Sequence, residues 1–290
     1  MTVTRDDGVL REAIVATARA MNAAGINRGT AGNVSARIQR GFLITPSAVP
    51  YDLTSANDIV AVNDDGESHD RLAPSSEWPF HQAIYRDRPD LHAIVHTHSP
   101  FATSLACLDR GIPAFHYMVA IAGGNDIRCA PYATFGTQAL ADHVVAAIAS
   151  RKACLLSHHG MIAAGSTLAA ALALAIEVET LAEMYWRALQ IGEPTLLSDA
   201  EMETVLAYEA RDIDATDLSV RLGKAAYERA LETYLATGDL PEAVAGEAKL
   251  NELDARTKAR TLSASDLKRR YGASRRASRS RQTDPDADAK

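Results

Sequence analysis

The sequence predicts an α/β fold, and three observations lead there. Strand-type and helix-type runs alternate through the first 212 residues. Apolar residues make up 47% of the 290, enough for one good-sized core. No apolar run approaches the roughly 20 residues that a membrane span requires.

The elements follow in order. Within residues 9–24, Leu10, Ile14, Ala18 and Met21 recur at three- and four-residue intervals and Gly25 follows, which predicts an amphipathic opening helix. GINRGTAGNVS at 25–35 reads as a glycine-rich loop in which Gly29 and Gly32 can take positive φ values. Strands are expected at 42–45, 59–62 and 93–97. A helix is expected from near Ser76 towards Pro89, with Ser75 or Ser76 as its cap and Pro79 in its first turn. Residues 140–148 read as a helix, 153–156 as a buried strand and 168–189 as a long apolar helix. GGND at 123–126 and YATFG at 132–136 read as turns.

Composition then excludes several classes. The N-terminal residues carry Arg5, Asp6, Asp7, Arg11 and Glu12, which interrupt any secretory apolar block, so a cytosolic protein is expected. Cys107, Cys129 and Cys154 are too few and too scattered for a disulfide framework and read as small buried hydrophobes. The net charge of -7 argues against a nucleic-acid surface spanning the whole protein. After about Asp212 the pattern changes. Residues 1–212 are expected to form one domain and 213–290 a helical or disordered extension. Its basic tail carries seven Lys or Arg between Lys268 and Arg281 and reads as a solvated charged end, or else as the place where an anionic partner such as nucleic acid would attach.

Chemistry concentrates in HAIVHTHS at 92–99. Alternation along a strand puts His96 and His98 on one face and Thr97 on the other. His92 shares their parity but lies about 13 Å away at ~3.3 Å per residue, too far to join them. LLSHHGMIAAG supplies His158 and His159 as candidates for a third nitrogen. Three neutral histidines around a divalent ion with an open position are the arrangement of a catalytic zinc centre. The glycine loop offers a concavity for an anion, or is simply a tight connection. In PSSEWPF the free N–H groups of a helix start attract negative charge, and Glu77 either complements the helix dipole or acts as a general base.

GTAGNVS, LITPSAVPYD, APSSEWPFH, IVHTHS, IPAFHYMVAIAGGN, APYATFGT and LLSHHGMIA, in that order, resemble the class II aldolase and adducin family, and within it the fuculose-type aldolases, over roughly residues 8–212. The resemblance implies a three-layer α/β/α domain with a mostly antiparallel central sheet, assembled as a homotetramer. It implies zinc held by His96, His98 and His159, with His158 in a supporting place. Glu77 would contact the zinc without substrate and serve as acid and base with it. A phosphate pocket would be built from Gly32, Asn33, Ser47, Ala48, Ser75 and Ser76. Tyr117 would be a proton donor that reaches a neighbouring subunit's site.

The implied reaction is cleavage of a ketose 1-phosphate to dihydroxyacetone phosphate and a short aldehyde. Such cleavage generates an enediolate whose charge a divalent cation stabilises, while a carboxylate moves the proton. Burial beside Trp78 or Phe80 would raise the Glu77 pKa and zinc would lower it. Related epimerases carry aspartate at this position, dehydratases and decarboxylases share the scaffold, and an adducin-like scaffold would lack the metal ligands. Two departures stand out. Ser47-Ala48 replaces threonine-glycine, and Ile213 stands where the family carries a tyrosine, with Tyr208 the nearest substitute.

Overall fold

The structure, a computed structural model, describes residues 5–214. The expected extension, including the basic tail, lies outside the described residues from 215 onwards. The first helix, α1 (Arg5–Ala23), buries Ile14, Ala18 and Met21 completely and ends before Gly25 at φ +75°. The apolar spacing that predicts this helix is the stripe that it packs.

Seven strands form one sheet: β1 (Asn33–Ile38), β2 (Gly41–Ile44), β3 (Val60–Val62), β4 (Ala93–Thr97), β5 (Cys129–Ala130), β6 (Ala153–Leu156) and β7 (Gly160–Gly165). Their order is β3-β2-β1-β4-β7-β6-β5, and every neighbouring pair is antiparallel except the parallel β5 and β6. The mostly antiparallel sheet of an α/β fold is therefore present.

The period-two alternation of the strands sorts their residues between two apolar cores. Val34, Leu43, Ala93, Val95, Leu155, Met161 and Ala163 face one side, against Ile14 of α1, Leu105 of α3 (Pro100–Ala106) and Leu172, Ala175 and Val178 of α5 (Leu168–Leu189). Phe42, Ile44, Val60, Ile94, Leu156 and Ile162 face the other, against Phe80 and Ile84 of α2 (Trp78–Asp87) and Leu140 and Val144 of α4 (Gln138–Ile148). These are the three layers. His96 shares its parity with Ile94 and projects into the α2 side.

Several elements depart from the sequence reading. β1 and β7 were not among the expected strands: β1 begins inside the stretch read as the glycine loop, NVSARI mixes polar with apolar residues and GMIAAG is mostly small, so neither carries a clean strand signature. α2 begins one to two residues later than expected: Glu77, not Ser75 or Ser76, is its N-cap, and Trp78 N–H donates to the Ser75 carbonyl at 3.1 Å in the turn before it. Pro79 does occupy the first turn. α6 (Asp199–Asp214) was not anticipated, although Ser198 and Glu201 cap it reciprocally in an S-x-x-E pattern and it runs across the expected boundary at 212.

Candidate active site

Three segments meet at one end of β4. His96 lies in β4 opposite Asn33 of β1 and Ile162 of β7, and is wholly buried. His98 follows the strand end with the same parity. His159 comes from the tight turn between β6 and β7, where His158 takes a left-handed φ of +53°. Glu77 arrives from the start of α2. The ligand atoms of Glu77, His96, His98 and His159 all lie within 4.8 Å of one another, so these four can hold a metal ion.

The distances define the cluster more closely. His96 Nε2 is 3.1 Å from His98 Nε2 and 3.1 Å from Glu77 Oε2. His159 Nε2 is 2.9 Å from Glu77 Oε1. The three imidazole rings sit edge to face at 4.8 to 4.9 Å between centroids.

The donor set fits a cation. His96 Nδ1 lies 2.8 Å from the Met161 carbonyl, which only accepts, so the proton sits on Nδ1 and Nε2 presents a bare lone pair. Glu77 Oε1 is buried, and the polar atom that stands beside it is His159 Nε2. Glu77 and His96 are buried, and unshared lone pairs facing one another there are costly unless a positive charge lies between them. Burial, then the neighbouring His96 and His159 rings, pushes the His98 pKa down to about 4, which keeps it neutral and ready to ligate. Burial acts to raise the Glu77 carboxyl, but positive charge on the neighbouring His96 and His159 side outweighs it and holds the group far below the ordinary carboxylate range, so the carboxylate is itself suited to face a cation.

A cavity of about 350 Å³ opens from this cluster. Gly32, Asn33, Ser47, Ala48, Ser75 and Ser76 all line it, so the structure gathers every residue expected in the phosphate pocket. Tyr132, Phe135 and His158 line it as well, and YATFG, read only as a turn, thus supplies two exposed aromatic rings.

Three details differ from expectation. Gly29 takes a positive φ of +62°, but Gly32 does not: what it needs is room, since a Cβ there would press on the His96 carbonyl and stand 2.7 Å from Asn27 Oδ1. Ala48, the residue that replaces the family's glycine, is held at φ +58°, a strained conformation for a residue with a Cβ. Asn33 reaches the cavity, but both ends of its amide are engaged: Nδ2 donates to Glu77 Oε2 at 2.8 Å and Oδ1 faces His81 Nε2 at 2.5 Å.

Other expected residues stand apart. Tyr117, in a 3-10 turn (Tyr117–Ala122), is half-exposed and does not line the cavity. His92 is exposed before β4 and outside the cluster. The side chains of Tyr208 and Ile213 lie outside the described ones. His81 was not singled out in the sequence, although a histidine directly after Phe80 on an apolar helix face was the available signal.

Comparison with known proteins agrees with this geometry. The family described as class II aldolase and adducin N-terminal domain matches residues 12–186. The chain is 58% identical over 197 residues to the 5-methylthioribulose-1-phosphate/5-deoxyribulose-1-phosphate aldolase of Rhodospirillum rubrum, covering 68% of this chain and 89% of that one. It is 50% identical over 198 residues to the L-fuculose phosphate aldolase of Escherichia coli K12, covering 68% and 92%. A solved L-fuculose 1-phosphate aldolase superposes with a TM-score of 0.68 at 36% identity, over 72% of this chain and 98% of the other. With the motif order, the layered fold and the histidine-glutamate cluster in agreement, the chain belongs to the class II aldolase and adducin family and is an enzyme of its aldolase branch.

Proposed function

We propose that the chain is a zinc-dependent aldolase that cleaves a ketose 1-phosphate, L-fuculose 1-phosphate or a similar sugar, to dihydroxyacetone phosphate and a short aldehyde. The observation that carries this reading is the convergence of His96, His98, His159 and Glu77 at the base of a cavity whose wall bears hydroxyls and a helix start. A divalent cation bound there supplies the positive charge that breaking a carbon–carbon bond beside a ketone requires.

The protein's own residues do the rest. Ser47, Ser75 and Ser76, whose side chains line the cavity, hold the phosphate and so orient the reacting end. As the bond breaks, its electron pair moves towards the ketone, and the hydroxyl proton lost by the departing aldehyde is balanced by one that Glu77, protonated once substrate separates it from the His96 and His159 rings, delivers to the carbon left behind; in the reverse direction Glu77 removes it. Tyr117 of a second copy exchanges the hydroxyl proton of the departing aldehyde, a role that requires association of chains, and the homotetramer is the assembly that the family resemblance implies. Tyr132 and Phe135 give the aldehyde end an apolar wall, in keeping with sugars that end in a methyl or another apolar group. No helix of the described residues is long and apolar enough to cross a membrane, and the cytosol is the proposed location.

The test is Glu77→Gln assayed with a panel of fuculose, rhamnulose and 5-deoxyribulose 1-phosphates for release of dihydroxyacetone phosphate. The variant should retain about one zinc per chain while kcat falls at least ~100-fold. Unchanged turnover in the variant would remove Glu77 from the reaction, and a wild-type protein free of metal would remove the reading as a whole.

A further inference from the structure

Behind Glu77 runs a line of buried polar groups that the proposed reaction does not use. Tyr85 OH is 2.8 Å from Ser35 Oγ, and Ser35 Oγ is 2.7 Å from His81 Nδ1. His81 Nε2 is 2.5 Å from Asn33 Oδ1, and Asn33 Nδ2 is 2.8 Å from Glu77 Oε2. All five side chains are buried, Ser35 and His81 completely. The His81 ring is stacked between Phe80 at 4.7 Å and Phe42 at 6.4 Å.

The chemistry of each group fixes the direction of the line. Glu77 carries two acceptor oxygens, so Asn33 must turn its NH₂ towards it; the flipped amide would set oxygen against carboxylate. Asn33 Oδ1 then faces His81 and can only accept, which requires a proton on His81 Nε2. Burial lowers the His81 pKa to about 3, with His96 adding to the effect, so the ring is neutral and its Nδ1 is bare. Ser35 must donate to that nitrogen, and its oxygen then accepts from Tyr85. Every hydrogen points the same way, towards the carboxylate. A neutral line of this kind adds no charge, but hydrogen bonds so aligned reinforce one another.

We propose that His81 is a positioning residue: acting through Asn33, it holds Glu77 Oε2 in one pose while Oε1 is left free to exchange between the metal cluster and substrate. The inference rests on the proposed role of Glu77 as acid and base. It does not require a particular sugar. His81 touches no reacting atom, and its effect is expected in kcat rather than in substrate affinity.

Two measurements test it. Nitrogen-15 spectra of histidine-labelled, zinc-loaded protein should show His81 neutral, with the proton on Nε2, throughout neutral pH. A proton on Nδ1, or a charged ring, would overturn the proposal whether or not the protein proves to be an aldolase. For the second, His81→Phe keeps the aromatic stack without the donor, and His81→Gln restores an N–H near the place of Nε2. His81→Phe should retain zinc and a KM within about threefold while kcat falls about 10- to 100-fold, and His81→Gln should recover most of that loss. A kcat within twofold of wild type in a folded, loaded His81→Phe protein, or a folded His81→Gln protein that recovers nothing, would overturn it. If His81→Phe does not fold, Ser35→Ala takes its place. That variant retains the ring but frees its tautomer, and should lower kcat about threefold or more at unchanged zinc content; an unchanged kcat overturns the proposal. Wild-type protein that cleaves no ketose 1-phosphate would instead strike at the proposed function, leaving the spectra to decide the tautomer.

Discussion

Gly160→Ala probes how tightly the cluster is held. Gly160 opens β7 beneath His98. A Cβ there would press on the Thr97 carbonyl and stand 2.9 Å from His98 Cδ2, where ordinary contact begins at 3.4 Å. The ring or the strand must therefore give by at least about 0.5 Å. Thr97 cannot move alone, since it is paired with Met161 in the β4–β7 ladder. Overpacking of this kind destabilises by about 1–3 kcal/mol, which for a domain of this size lowers the melting temperature by about 2–12 °C. Ligand distances tolerate only about 0.2 Å, so displacement of His98 should weaken metal binding about 10- to 100-fold. Gly192→Ala is the control, because a Cβ there meets nothing within 4 Å. Thermal melts and competition with a chromophoric chelator read both effects. Melting and metal affinity that match the Gly192→Ala control would refute the reasoning from crowding.

Two further predictions concern strain and protonation. Ala48→Gly should stabilise the protein by about 0.5–1 kcal/mol in urea unfolding, since φ +58° suits glycine better than alanine; a lower midpoint would contradict it. Burial, as the largest cause, depresses the folded-state pKa of His81 to about 3 and that of His98 to about 4, both below the ordinary 6.5. The unfolded chain takes up these protons first, so stability is present above pH 6.5 and is lost as the pH falls towards 4 and then 3. Melting temperatures taken across that range should fall on acidification with release of the metal, and a rise would contradict the assignment.

Much of this was legible in the sequence where periodicity is strong. α1, β4, β6 and α5 carry apolar spacings that match the faces they bury, and the parity of His96 and His98 follows from strand geometry alone. β1 and β7 were not legible: NVSARI mixes polar and apolar residues, and GMIAAG is small and flanked by glycines, so only their pairing with β4 defines them. For the same reason the partners of Asn33 were not legible. Its sequence neighbours suggest an anion loop, but its register opposite His96 turns its amide to Glu77 and His81. The need for glycine at position 32 is likewise a matter of space beside the His96 carbonyl, which no local pattern reveals.

β1, β4 and β7 are neighbours at the centre of the sheet although they come from residues 33–38, 93–97 and 160–165. The four ligands come from three separate segments between residues 77 and 159, so no short stretch of the chain can sequester the ion. Because such distant pairings are slow to form and capture must wait for all of them, ion retained against a chelator during refolding counts finished molecules rather than collapsed ones.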